Sequence, residues 1–323
     1  MIRIAEPEDF CVDEILLYAP TGEGGHTFLR VEKRQRTTEQ VARELARAAE
    51  VRPRDVGYAG RKDRFAVTTQ WFSVPELAPE AALGLELAGA RVVEAARHPH
   101  KLRTGHLRGN RFRIVVRELA SETLRQAEQR LPQLVQTGMP NRFGAQRFGR
   151  DGRNAERGRQ LLAGELRLRD RREARFLLSA LQSELFNAVL AAREPHLDRL
   201  ERGDLAHVHA SGGVFLVEDP ELEAPRAAAF EISPTGPIFG TKVRSPEGAP
   251  AERERAVFEA LGLPENPTPP RGIATRGTRR SLRVRPDGAQ LEAQGDALHL
   301  FVTLPAGSYA SVLLDCLLSP ADG

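Results

Sequence analysis

Cysteine is nearly absent from this chain: there are two in 323 residues, Cys11 and Cys316, close to opposite ends. Neither has a partner at zinc-ligand or redox spacing, which argues against structural zinc and against a disulfide-stapled fold. Long apolar runs are missing too. No window reaches the length of uncharged apolar sequence that a membrane span needs, and the start, MIRIAEPEDF, has no apolar signal-peptide core. A cytoplasmic protein with no membrane partner is therefore expected. No GxxxxGK[ST] loop is present, so ATP or GTP binding has no support. Lysine is scarce as well: of 47 basic residues 43 are arginine, leaving only Lys33, Lys62, Lys101 and Lys242. Where arginine dominates so far, the surviving lysines are candidates for places that need a compact ammonium rather than a planar fork.

What is present is a globular composition. Hydrophobic residues make up 41% of the chain, enough for one large or two ordinary domains and too many for disorder. The net charge of +3 averages over unlike segments. Residues 91–175 hold 21 basic and 9 acidic residues, whereas residues 194–265 hold 7 basic and 14 acidic. A basic block of that size reads as a phosphate-binding surface, because each neutralised phosphate releases counterions; the alternative is a solvated charged face.

Local pattern places the elements. Thr37 and Gln40 fit a capping box for a helix to Glu50, with Val41, Leu45 and Ala48 as its apolar stripe. Residues 56–59 and 67–74 read as short strands, with Gly60-Arg61-Lys62-Asp63-Arg64 as the loop between them. In residues 110–117, Phe112, Ile114 and Val116 alternate with Arg111, Arg113 and Arg117, one face core and one face arginine. Ser121 to Thr137 is a helix in which Pro132 predicts a kink or an early end. Asp170 and Glu173 cap a long helix to Arg193 whose buried side is expected to include Phe176. Leu282 and Val284 alternate with Arg283 and Arg285, a second arginine-faced strand, and Ser308 is expected to cap a last helix through Leu318.

Three groups of residues could carry chemistry. Asp63 has cations on both sides, which favours an ionised carboxylate usable as nucleophile or base; the plain reading is a turn aspartate. In residues 141–149, NRFGAQRFG, Phe143 and Phe148 could stack on bases, Asn141 or Gln146 could read a base edge, and Arg142 and Arg147 could hold phosphates; equally, both rings could be core. His98, His100 and His106 invite a metal reading, but no carboxylate or cysteine completes a set, so no metal is expected.

Six blocks stand in the order seen in the TruD family of tRNA pseudouridine synthases. They are Pro7-Glu8-Asp9-Phe10, residues 22–26 (GEGGH), 56–64 (VGYAGRKDR), 101–110 (KLRTGHLRGN), 140–149 (PNRFGAQRFG) and 304–310 (LPAGSYA). The chain resembles that family at both ends and more weakly between about 195 and 280. The resemblance implies an α+β fold: a pseudouridine synthase catalytic domain with a mixed, largely antiparallel sheet and flanking helices over 1–166 and 278–323, interrupted by an inserted α/β TRUD domain over 167–277. It implies isomerisation of uridine 13 in the D arm of tRNA, with tRNA as partner and no cofactor. The family's catalytic aspartate falls on Asp63 and its base-stacking Phe on Phe143, with Lys62, Arg64 and Asn141 beside the pocket. The family's basic residue three positions before the PEDF proline falls on Ile4, and Arg3 is the neighbouring candidate, although a one-residue slip in a strand reverses the side chain's face. The expected RNA contacts are Lys101, Arg103, Arg108, Arg111, Arg113, Arg142, Arg147, Arg283 and Arg285. Two other function classes compete: a non-catalytic RNA-binding protein on the same basic surface, and a nuclease, for which neither loop supplies a second carboxylate.

Overall fold

The computed structural model describes residues 5–264, 267–270, 272–273 and 275–319. Along the chain, β1 (Phe10–Leu16), β2 (His26–Arg34), α1 (Thr38–Ala48), β3 (Gly57–Tyr58), β4 (Val67–Pro75), α2 (Pro79–Leu83), β5 (Ala90–His98) and β6 (Leu107–Val116) lead into α3 (Ser121–Thr137). There follow β7 (Met139–Pro140), α4 (Asn154–Ala163), α5 (Arg171–Arg193), β8 (Leu205–Val208), β9 (Val214–Leu216), α6 (Pro220–Ala228) and β10 (Ile232–Ile238). The last elements are α7 (Gly248–Ala260), β11 (Thr278–Ser281), β12 (Arg283–Val284), β13 (Asp287–Gln294), β14 (Ala297–Pro305) and α8 (Ala310–Leu318).

Two compact units result. One holds the chain up to Leu131 together with Pro286–Gly307; the other holds Pro132–Arg285 and Ser308–Ser319. This division differs from the boundaries expected from the sequence, since α4, β11 and α8 group with the second unit.

The first unit is built on an eight-stranded sheet in the order β13-β14-β6-β1-β4-β2-β5, with β3 added beside β4. Its one parallel pairing is β1 with β4, so the sheet is mixed and largely antiparallel, as expected. Alternation along β2 sends Leu29, Val31 and Lys33 to one face, where the two apolar residues pack with Val41 and Leu45 of α1. Cross-strand register carries that face onward: Lys33 lies opposite Thr68, Val31 opposite Gln70, and Val12 opposite Thr68, so Glu14 falls on it too. α1 starts where the sequence placed it, with Thr37 Oγ1 accepting from Gln40 N–H and Gln40 Oε1 accepting from Thr37 N–H.

The second unit gathers around α5. Leu181, Leu185 and Val189 pack with Phe239, Phe258 and Leu263, and Phe186 and Leu190 pack with Leu197 and Leu282. Beside the helix lie a four-stranded sheet, β11-β10-β8-β9, and the short pair β12-β7.

Three local expectations are corrected. α3 runs through Pro132 to Thr137: Pro132 and Glu128 are exposed, so the carbonyl left without its helical donor lies on the solvent side. Phe176 is 44% exposed, because the buried stripe of α5 runs through Ala174, Leu177, Leu178 and Leu181, and Phe176 lies off it. Ser308 does not cap α8; Tyr309 holds the N-cap position, and Ser308 Oγ reaches Asn141 Oδ1 at 3.5 Å.

Candidate active site

In the first unit the loop of residues 60–64 is tied down along its length while Asp63 itself is exposed. Gln70 Nε2 donates to the Gly60 carbonyl (3.3 Å), Thr38 Oγ1 donates to Gln70 Oε1 (2.8 Å), and the Lys62 N–H donates to Thr38 Oγ1 (3.0 Å). Thr38 thus links the first turn of α1 to both the loop and β4. The Lys62 side chain, 6% exposed, turns inward to an ion pair with Glu14, whose side chain is 0% exposed. Glu14 sits just past the end of the parallel pairing, which closes at Asp13 opposite Thr69. Its second oxygen accepts the Trp71 N–H (3.1 Å), a donor that the ladder no longer serves.

The cations expected to flank Asp63 therefore work elsewhere. Arg61 pairs with Glu39 (2.6 Å), Lys62 with Glu14, and Arg64 Nε donates to the Gln35 carbonyl (3.4 Å). Beneath the loop, Lys33 Nζ donates to the backbone carbonyl of Asp63 (2.9 Å) and to that of Arg36 (2.7 Å). Arg3 lies outside the described residues.

In the second unit the loop after β7 is held by α5. Asn187 accepts the Phe143 N–H at Oδ1 (2.8 Å) and donates to the Phe143 carbonyl through Nδ2 (3.0 Å), imitating a strand pairing. The Phe143 ring is half-buried, edge-on to Phe186 (5.6 Å between centroids) and to Tyr309 (6.2 Å), with the Arg280 guanidinium 4.3 Å from its centroid. Both readings of that ring, core and stacking surface, thus meet at one residue. Asn141 is 5% exposed; its N–H donates to Leu282 O (2.8 Å), its Nδ2 to Ser281 O (2.9 Å), and its Oδ1 accepts from Arg280 (2.5 Å). Burial among these groups pushes Arg280 down to about 10. A Cβ at Gly144 would stand 3.1 Å from the Tyr309 ring, which would have to give by a few tenths of an ångström.

The expected RNA contacts separate. Lys101 and Arg103 line a cavity of about 520 Å³ with Tyr18, His98, His100 and His106, and the Tyr18 hydroxyl is 2.6 Å from His106 Nδ1. The three histidines noted in the sequence thus share one concavity with aromatic and cationic walls. Arg108 is exposed. Arg111 and Arg113 are exposed on the sheet face opposite to Glu14, opposite Asp13 and Cys11 in register; Arg111 pairs loosely with Asp13 (3.8 Å), and Arg113 donates to Cys11 Sγ (2.9 Å). Arg117 is claimed by buried Asp9 (2.7 Å), whose carboxyl that guanidinium holds below its usual range. Arg142 pairs with Glu194 and Arg147 Nε donates to Ser183 Oγ (3.3 Å). Arg285 remains exposed.

Arg283 is a correction. It is 1% exposed, donates to Ser233 Oγ and to the carbonyls of Thr137 and Ala227, and lies 4.1 Å from the Phe230 centroid, so it is a structural anchor with no surface to offer. The alternation in residues 282–285 is real, but Arg283 is packed as tightly as Leu282 and Val284, and only Arg285 of the arginine side is exposed.

Comparison with known proteins follows the same residues. The sequence model of tRNA pseudouridine synthase D (TruD) matches residues 2–168 and 167–315. The chain belongs to the TruD family. Membership makes it a pseudouridine synthase, an isomerase. A TruD relative from Geobacter metallireducens is 40% identical, covering 95% of this chain and 92% of its own length. One from Anaeromyxobacter dehalogenans is 45% identical, covering 95% and 90%. A solved structure of a TruD-assigned protein from Methanosarcina mazei superposes with a TM-score of 0.77 over 98% of this chain and 93% of that one; at 22% identity it speaks for the fold alone.

The Lys62–Glu14 pair, Lys33 and Arg280 escaped the sequence reading as structural partners of the two loops. The scarcity of lysine singled out Lys33 and Lys62, and the family resemblance put Lys62 beside the pocket, but neither named the partners they take. Nothing local marked Arg280 or Glu14.

Proposed function

We propose that the chain isomerises uridine 13 in the D arm of tRNA to pseudouridine, with Asp63 as the catalytic carboxylate. The observation that carries this reading is the Asp63 loop: four of its groups are fixed by buried partners, while Asp63 itself is exposed. A reacting group must be held to a fraction of an ångström, and rigid elements supply that better than a free loop. The isomerisation breaks the bond from ribose C1′ to uracil N1, turns the base within the site, and forms the bond from C1′ to C5. The proton displaced from C5 leaves, and N1 gains one, so atoms balance. Asp63 supplies the ionised carboxylate beside the ribose, and Phe143 supplies an apolar surface against the base, which leaves the folded arm at a cost of a few kcal/mol. The inserted TRUD domain over 167–277, the exposed residues Arg103, Arg108 and Arg285, and the half-buried Lys101 form the remaining tRNA surface in this reading. Arg64 and Asn141 hold the two loops. The cytoplasm, where tRNA is processed, is the place of action.

The test is direct. Unmodified tRNA is incubated with the protein in EDTA and pseudouridine is mapped. Product at uridine 13 is expected with the wild type and none with Asp63→Asn, which should keep its fold and its affinity for tRNA. Product at another position, or turnover by pure Asp63→Asn, would overturn the assignment. Binding without any product would favour a non-catalytic RNA-binding protein, and strand cleavage a nuclease.

A further inference from the structure

We infer that Lys33 is a positioning residue for Asp63, holding its loop from beneath by the Asp63 backbone carbonyl. The inference rests on the reading of Asp63 as the catalytic group. Lys33 stands at the end of β2 on the α1 face, 1% exposed, and is among the largest fully buried side chains. Burying an ammonium is costly unless something compensates it. Its two acceptors, the carbonyls of Asp63 (2.9 Å) and Arg36 (2.7 Å), are neutral, so hydrogen bonding alone does not balance the charge. Among the charges around it, Asp63 favours the charged ammonium most and Glu39 next, while Lys62 opposes both, and together they offset burial only in part. The three cations nearer to Asp63 in sequence are already committed to Glu39, Glu14 and the Gln35 carbonyl. Lysine is the type required here: a compact ammonium presents three donors to carbonyls converging on one point, which a planar guanidinium cannot do.

Burial lowers Lys33 to about 8 despite Asp63, so its charge is present at neutral pH and is lost as the pH rises through that value. A positioning role then has a consequence for the reaction: turnover declines on the alkaline side as the Lys33 charge is lost.

Four lysines in the whole chain make the coupling measurable. In protein labelled at lysine 13Cε, the Lys33 resonance should titrate near pH 8 in the wild type, and Asp63→Asn should move its midpoint lower while Lys101 and Lys242 stay in place. An unmoved Lys33 midpoint would overturn the inference; this arm needs no substitution at Lys33. In the second arm, Lys33→Met should lower kcat by about tenfold or more with KM for tRNA within about twofold, and should abolish the alkaline decline. Lys33→Arg should restore little, because the fork does not fit. Wild-type kcat in folded Lys33→Met would overturn the positioning role. A Lys33 midpoint that moves alongside an active Asp63→Asn would instead overturn the reading of Asp63, so the two failures are distinguishable.

Discussion

Lys62→Met is the substitution whose cost can be worked from the structure. It removes the ammonium from an ion pair whose members are 6% and 0% exposed and leaves the Glu14 carboxylate inside the sheet with the Trp71 N–H as its remaining partner among the described residues. Breaking a buried pair by deleting one partner costs roughly 3–5 kcal/mol, because the remaining charge is stranded. At about 2–4 °C per kcal/mol for a unit of this size, the melting point should fall by roughly 6–20 °C. The chain's single tryptophan is Trp71, so its fluorescence follows the unit in which the pair lies. The double substitution Glu14→Gln with Lys62→Met removes the stranded charge and should recover part of the loss, giving a coupling energy that a double-mutant cycle reads directly. Turnover per folded molecule should fall as well, since the same lysine anchors the Asp63 loop. A loss below about 1 kcal/mol for Lys62→Met, or strict additivity in the cycle, would refute the argument that this pair holds the loop.

Phe143→Ala should lower the single-turnover rate roughly ten- to hundredfold while Phe143→Tyr is tolerated, since base stacking is worth about 1–3 kcal/mol; a normal rate per folded molecule with a large drop in melting temperature would leave the ring as core alone. Arg283→Ala should reduce stability without changing the salt dependence of tRNA binding, whereas Arg103→Ala and Arg108→Ala should each lower the log–log salt slope by about 0.7–0.9 with little change in melting temperature; the reverse pattern would contradict the placement of these arginines. His26, His98, His207 and His209 are all pushed below the ordinary histidine range, first by burial. The unfolded chain then binds more protons than the folded one just below pH 6.5, so stability should be full above that pH and fall as the pH drops through it. Urea titrations at a series of pH values check this, and stability that rises on acidification from pH 6.5 would refute it.

Local chemistry was legible in the sequence wherever neighbours along the chain decide the outcome. The capping box at Thr37 and Gln40, Val41 and Leu45 of the α1 stripe, and the alternation of Arg111 and Arg113 with Phe112 and Ile114 came through, because each depends on a fixed period or on a contact three or four residues away; Ala48, expected on the same stripe, is exposed, and Ala42 and Ala46 are buried instead. The six ordered blocks were legible for a related reason: a family keeps its residue types in order, whatever the loops between them do. What tertiary structure alone decided is where each charge goes. Alternation in residues 282–285 shows that the strand has two faces, but only the packing of Phe230 and β10 around Arg283 buries that arginine while Arg285 stays exposed. The sequence sets Lys62 next to Asp63, yet the carboxylate that claims Lys62 is Glu14, 48 residues away, in the gap where β1 and β4 stop pairing. Lys33 reaches the same loop from 30 residues away through strand register. Charge partners act through space over a few ångströms, and which carboxylate or carbonyl stands at that distance is set by the sheet, not by the order of residues along the chain.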